Sequence, residues 1–134
     1  AFTDRLSFER EVEDSALVTM RHASGAQSMV GAYHTIGPPS DELEIFGSRG
    51  KVVIETLNSS VMKIASGGNE QTKELPPHPN LHLPLLEDFG EAINQGRQPR
   101  VTGRIGSLTN RVIEAAYPSS VDNVTVEIDT TIRD

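Results

Sequence analysis

A chain of 134 residues is long enough for one domain with its own core, and 36% hydrophobic content with 11 glycines and 8 prolines points to a loop-rich globular domain rather than a disordered one. A formal net charge of −7 argues against a nucleic-acid partner, which would need clustered Lys and Arg; the nearest approach, Arg97, Arg100 and Arg104, is spaced by neutral residues and reads as a solvated rim. With no cysteine, disulfides, zinc–thiolate sites and thiol nucleophiles are excluded.

No stretch approaches the ~18 apolar residues that a membrane span needs, so no membrane partner is expected. Asp4, Arg5, Glu9, Arg10 and Glu11 interrupt the N-terminal segment, so no secretory signal is expected there. A cytoplasmic location is expected, in keeping with the missing cysteine. Asn58-Ser59-Ser60 and Asn123-Val124-Thr125 then read as chance sequons.

In chain order, Ser15 to Ala23 alternates loosely, Ser24-Gly25 supplies a tight turn, and Ala26 to Ile36 continues as the second strand of a hairpin. Ala16, Val18 and Met20 share one face of it; Leu17, Thr19 and Arg21 share the other. Gly37-Pro38-Pro39-Ser40 breaks the pattern. Glu42 to Phe46 alternates cleanly as a third strand, Gly47-Ser48-Arg49-Gly50 turns, and Lys51 to Leu57 returns as a fourth. Val61 to Ala65 and Thr72 to Leu75 are shorter strands about the turn Gly67-Gly68-Asn69. Turns every ten residues or so suggest an antiparallel meander. Val53 and Leu57 oppose Val52 and Ile54, so neither face of the fourth strand is purely polar. Helices are expected to cover one side of the sheet, and something else to cover part of the other.

The period then changes. Pro76-Pro77-His78-Pro79 is an extended linker. Pro84 suits a first helical turn, Leu85, Leu86, Phe89, Ala92 and Ile93 recur at helical spacing, and Gly96 is placed to close the helix in the left-handed conformation. Glu87, Asp88 and Glu91 lie in the half that the helix dipole favours for negative charge. A second helix is expected from about Gly103 to Tyr117, with Ile105, Leu108, Val112 and Ala115 or Ala116 inward and Pro118 as its stop. Val124 to Ile128 reads as a last strand, and Thr130 to Asp134 as a loose tail. The expected fold class is α+β: a mostly antiparallel, open-faced sheet of about six strands with two C-terminal helices packed on one face.

Taken in order, four segments resemble the C-terminal domain of the glucose–fructose oxidoreductase / inositol dehydrogenase (Gfo/Idh/MocA) family. They are Val12-Glu13-Asp14-Ser15-Ala16 with the turn Ser24-Gly25-Ala26; Asp41 to Gly50, a strand–Gly–turn–Gly signature; Leu86 to Ile93 followed by Gly96-Arg97-Gln98-Pro99; and Val101 to Gly106 with Val112 to Tyr117. The resemblance spans roughly residues 12 to 128. It implies a two-domain parent in which an N-terminal Rossmann domain holds NAD or NADP. The C-terminal domain then closes over a sugar or cyclitol, and its open sheet face forms the subunit interface.

The departures from that family are as informative. The chain has no Gly-x-Gly-x-x-Gly after a strand, no Glu-Lys-Pro, and no Asp followed four residues later by His, which the family uses for nucleotide binding and proton transfer. Residues 1–134 therefore read as a single C-terminal domain without its Rossmann partner, with no catalytic, cofactor-binding or metal-ligating residues of its own. Gly47-Ser48-Arg49-Gly50-Lys51 has the wrong spacing for a phosphate loop, and strands flank it on both sides. Since the family's linker runs near the cleft, His78 and His82 are the candidate substrate-binding residues. His22 and His34, at mirrored places of the hairpin, read as a sheet-surface pair; Glu42 and Glu44 as a solvated strand face.

The leading expectation is thus the substrate-side and oligomerisation domain of an NAD(P)-dependent oxidoreductase, inactive alone and self-associating through the mixed face. The alternative is a free-standing sheet-based binding or scaffold module. A small independent enzyme lacks any nucleophile elbow or metal constellation to support it.

Overall fold

The computed structural model describes residues 1–34, 37–57, 59 and 61–131. The last residues of the expected second strand, Asn58 and Ser60 of the first sequon, and the end of the tail lie outside them. The chain divides into two compact units, one of residues 1–37 and 101–134 and the other of residues 38–100. The fold is α+β, with two helices and seven strands among the described residues, all paired antiparallel. The strands form two sheets of three and four rather than one sheet of about six.

In the first unit, β1 (Phe2–Asp4), β2 (Ser15–Arg21) and β3 (Gln27–Tyr33) pair in the order β1-β2-β3. The β2–β3 hairpin has the expected faces: Ala16, Val18 and Met20 lie opposite Ala32, Val30 and Ser28. β1 was not expected, because three residues are too few to show a period. The second helix of the chain, α2 (Gly103–Asp122), packs against β1. Its N-cap Thr102 accepts a hydrogen bond from Ile105 N at 3.2 Å. The helix does not stop at Pro118; it continues to Asp122 and closes on Asn123 at φ 54°. The turn beyond the proline carries its tertiary bonds: Ser119 Oγ accepts from Ala1 N (2.7 Å) and Ser120 Oγ from Thr3 N (2.9 Å). These anchors offset the backbone bond that proline removes. Ala116 is buried and Leu108, Val112 and Ala115 half-buried as expected, while Ile105 is exposed. Val124 to Ile128 forms no ladder. Arg111 instead holds the chain beyond it, donating to the Asp129 (2.5 Å) and Thr131 (3.2 Å) carbonyls.

In the second unit, β4 (Leu43–Gly47), β5 (Gly50–Ile54), β6 (Val61–Ser66) and β7 (Asn69–Glu74) form a meander in chain order. Its register sorts the side chains more cleanly than the sequence alone suggested. Leu43 pairs with Ile54 and Ile45 with Val52, and Val52 in turn pairs with Ile64; Met62 joins them by alternation, giving a face that is apolar over β4–β6 and continues onto Gln71 and Lys73 of β7. Glu44, Val53, Lys63 and Thr72 form a row on the other face, beside the row Phe46, Lys51, Ala65 and Glu70. Val53 therefore sits on the charged face. Leu57 lies beyond β5, its N–H bonded to Asp41 O.

Helix α1 (Leu83–Gln95) begins with a proline in its first turn and ends at Gly96 (φ 63°, ψ 27°), as expected. The N–H groups of Gly96 and Arg97 close back on the carbonyls of Ile93 and Ala92. Ala92 is 2% exposed, whereas Leu85, Leu86, Phe89 and Ile93 are exposed. The buried stripe of α1 runs through Asp88 and Ala92, toward its own C-terminal loop.

Candidate functional site

The two candidate histidines lie in the second unit, in the segment leading into α1. Asn80 organises that segment. Its N–H donates to His78 Nδ1 (3.1 Å), its side-chain oxygen accepts from His82 N (3.1 Å), and its carbonyl accepts from Leu83 N (3.2 Å). His78 is thus turned back on the backbone through Nδ1. His82 is the N-cap of α1, its backbone near-helical at φ −91°, ψ −19° and its side chain making no capping bond. Both imidazoles are exposed. The turn holds their backbones two positions either side of Asn80. Exposed imidazoles of this kind can donate to or accept from a hydroxylated ligand.

The acids of α1 have partners beyond the helix dipole. Asp88 Oδ2 accepts from Arg100 N at 2.7 Å, and Asp88 Oδ1 lies 3.0 Å from the Arg97 guanidinium. Arg97 also reaches Glu91 at 3.3 Å. The Arg100 N–H, followed by Arg97, holds the Asp88 carboxyl below its ordinary range. Arg97 and Arg100, expected to be a solvated rim, thus tie the loop after α1 back onto the helix.

In the first unit, Asp14 is 3% exposed. Its carboxylate accepts three consecutive backbone N–H groups, from Leu6 (2.8 Å), Ser7 (2.9 Å) and Phe8 (2.9 Å). The Leu6 and Ser7 bonds lead in lowering its pKa against the opposing effect of burial. Beside it, Tyr117 OH donates to Glu13 Oε1 at 2.8 Å. That bond raises the tyrosine pKa and, after a backbone N–H contribution, lowers that of Glu13. Nothing in the sequence signals the role of Asp14, because its partners are backbone groups eight to six positions upstream. The loop around it, with Arg5, Phe8, Glu9, Arg10 and Glu11, lines an open depression of about 540 Å³.

His22 and His34 do not face each other. The register sets Arg21 opposite Gln27 and Ser15 opposite Tyr33, so the two histidines lie at opposite ends of the hairpin. His22 Nε2 meets Ser28 Oγ at 2.8 Å, and His34 N donates to Asp14 O at 2.9 Å. Glu42 precedes β4, and Glu44 is exposed on the charged face opposite Val53. The turns Gly47–Gly50 and Gly67–Gly68 flank a second open depression of about 520 Å³ that Arg49 and Lys51 also line. Both turns join antiparallel strands. A pyrophosphate cradle needs a strand, a glycine turn and a helix N-terminus in succession, so these residues do not fit a dinucleotide. Among the described residues, no three His, Asp or Glu side chains are grouped to hold a metal, and no helix is long and apolar enough to cross a membrane.

The family model of the oxidoreductase family, C-terminal alpha/beta domain (Gfo/Idh/MocA), matches residues 1–128. No curated protein matches the chain. Among solved structures, aldose-aldose oxidoreductase from Caulobacter crescentus, complexed with glycerol, is 30% identical (TM-score 0.78) over 88% of this chain and 36% of its own. An oxidoreductase from Agrobacterium radiobacter in complex with NAD+, L-tartaric acid and magnesium is 17% identical (TM-score 0.82), over 94% of this chain and 41% of its own. The WlbA dehydrogenase from Bordetella pertussis, in complex with NADH and UDP-GlcNAcA, is 22% identical (TM-score 0.71), over 96% of this chain and 39% of its own. The chain therefore spans about two fifths of the length of the solved structures it matches.

Proposed function

Because this chain belongs to the Gfo/Idh/MocA oxidoreductase family through its C-terminal alpha/beta domain, we propose that it is the substrate-side and oligomerisation domain of an NAD(P)-dependent oxidoreductase acting on a sugar or cyclitol. The observation that carries this reading is the family match over residues 1–128, beside an aldose-aldose oxidoreductase at 30% identity. The parent supplies a Rossmann domain that holds NAD or NADP and provides the hydride chemistry; residues 1–134 act as one domain beside it, in the cytoplasm. Two of the similar structures hold NAD+ or NADH, and those with glycerol, tartrate and UDP-GlcNAcA hold polyol, hydroxy-acid and sugar ligands.

In this reading the chain contributes shape and hydrogen bonds. His78 and His82, held about Asn80, are the residues proposed to meet substrate hydroxyls. The apolar face of Leu43, Ile45, Val52, Ile54, Met62 and Ile64 is the proposed surface between copies, with Ile45 54% exposed. Alone, the chain is expected to bind neither NADH nor NADPH with micromolar affinity when titrated by cofactor fluorescence; micromolar binding would contradict the assignment. The upstream coding sequence separates this reading from a free-standing scaffold module: an in-frame Rossmann half before Ala1 supports the parent enzyme, and its absence supports the module.

A further inference from the structure

We propose that Asp14 is a latch: its carboxylate holds the middle of the loop Arg5–Glu13, and that stretch opens as one piece when the carboxylate is neutralised. The loop is fastened by three independent means. Before it, β1 is tied to α2 through Thr3 N and Ser120 Oγ. At its end, Glu13 is tied to α2 through Tyr117. Between them, the turn Leu6–Phe8 is held to Asp14 by three N–H donors at 2.8 to 2.9 Å. Asp14's own backbone belongs to the sheet rather than the loop, since its N–H donates to Asp4 O (3.0 Å) and its carbonyl accepts from His34 N (2.9 Å). The loop can therefore leave without unmaking the sheet.

The charge makes the latch. Among the described residues no cation forms an ion pair with Asp14. The charged groups around it are otherwise engaged: Arg5 donates to Arg10 O, Glu13 accepts from Tyr117, and Asp4 and His34 meet Asp14 through backbone atoms. The three N–H groups are thus the groups that compensate a carboxylate shielded from water. Taking them away leaves a buried, unsatisfied anion, so loop opening and neutralisation or hydration of Asp14 are one event. The latch sets how the loop presents Leu6, Phe8 and Val12, all exposed, and the Arg10 guanidinium 4.8 Å over the Phe8 ring.

The test is amide hydrogen exchange by NMR on the whole chain, comparing wild type with Asp14→Asn at neutral pH. The substitution keeps the side chain's size but removes its charge. The amides of Leu6, Ser7 and Phe8 are expected to exchange at least about tenfold faster, while the β2–β3 ladder keeps its protection. Unchanged exchange at the three amides, or loss of the ladder in step with them, would overturn the proposal. Should Asp14→Asn fail to fold, acid titration of the wild type reads the same coupling. The three amide resonances must move together with the Asp14 side-chain carboxyl resonance while the ladder persists; independent titration would overturn it equally.

Discussion

Gly50 offers a measurable separation of two effects that usually arrive together. It opens β5 at φ 156°, and a Cβ added there would collide with the Ala65 carbonyl oxygen of the neighbouring strand. Gly68, in the β6–β7 turn, also has positive φ (78°) but nothing within 4 Å of an added Cβ. Gly68→Ala thus carries backbone strain alone, about 1–3 kcal/mol. Gly50→Ala carries comparable strain plus a clash with backbone that cannot rotate away, for which overpacking costs of about 1–3 kcal/mol are the guide. The expected total for Gly50→Ala is about 2–6 kcal/mol, against a domain stability of about 5–15 kcal/mol. The assay is urea unfolding of wild type and both variants, followed by circular dichroism, with amide exchange across the β5–β6 ladder as the local probe. Gly50→Ala should exceed Gly68→Ala by at least about 1 kcal/mol and should lose β5–β6 protection first. Equal midpoints for the two variants would refute the steric half of the reasoning.

Other outcomes follow from the same geometry. Ile45→Asp is expected to abolish self-association in light scattering, whereas Val53→Asp, on the charged face, should leave it intact; the reverse result would misplace the interface. Thr102→Ala removes the side-chain acceptor of Ile105 N and should cost about 1 kcal/mol in thermal or urea unfolding. His82→Ala in the full-length parent should raise KM for the sugar with kcat little changed, as expected of a group that binds without reacting; unaltered kinetics would remove His82 from the site. The folded-state pKa values of Asp14, Asp88, Glu13 and Asp129 are all lowered. Their contribution to stability is therefore complete above the ordinary carboxylate range and lost as pH falls through the lowered values. Melting temperature against pH should be flat near neutrality and fall on the acid side, less steeply in Asp88→Asn.

Helix α1 was legible because Pro84 and Gly96 mark its ends by local backbone chemistry, and its end at Gly96 is where expected. Helix α2 outran its expected stop because the local cost of Pro118 is outweighed by serines whose partners, Ala1 N and, in β1, Thr3 N, lie more than a hundred residues away. Alternation within one strand sets Val53 apart from Val52 and Ile54 but does not show which neighbours share each face. That needed the register with β4 and β6. The same reason separates His22 from His34. The family resemblance was readable from ordered motifs. The Asp14 latch was not, because it consists of main-chain donors that no residue type advertises.

The outer strand β7 reads Asn-Glu-Gln-Thr-Lys-Glu and is exposed throughout. A rim so densely hydrophilic discourages another ribbon from docking alongside and continuing the hydrogen-bond lattice. Addition of a further strand at the β7 edge is thereby disfavoured.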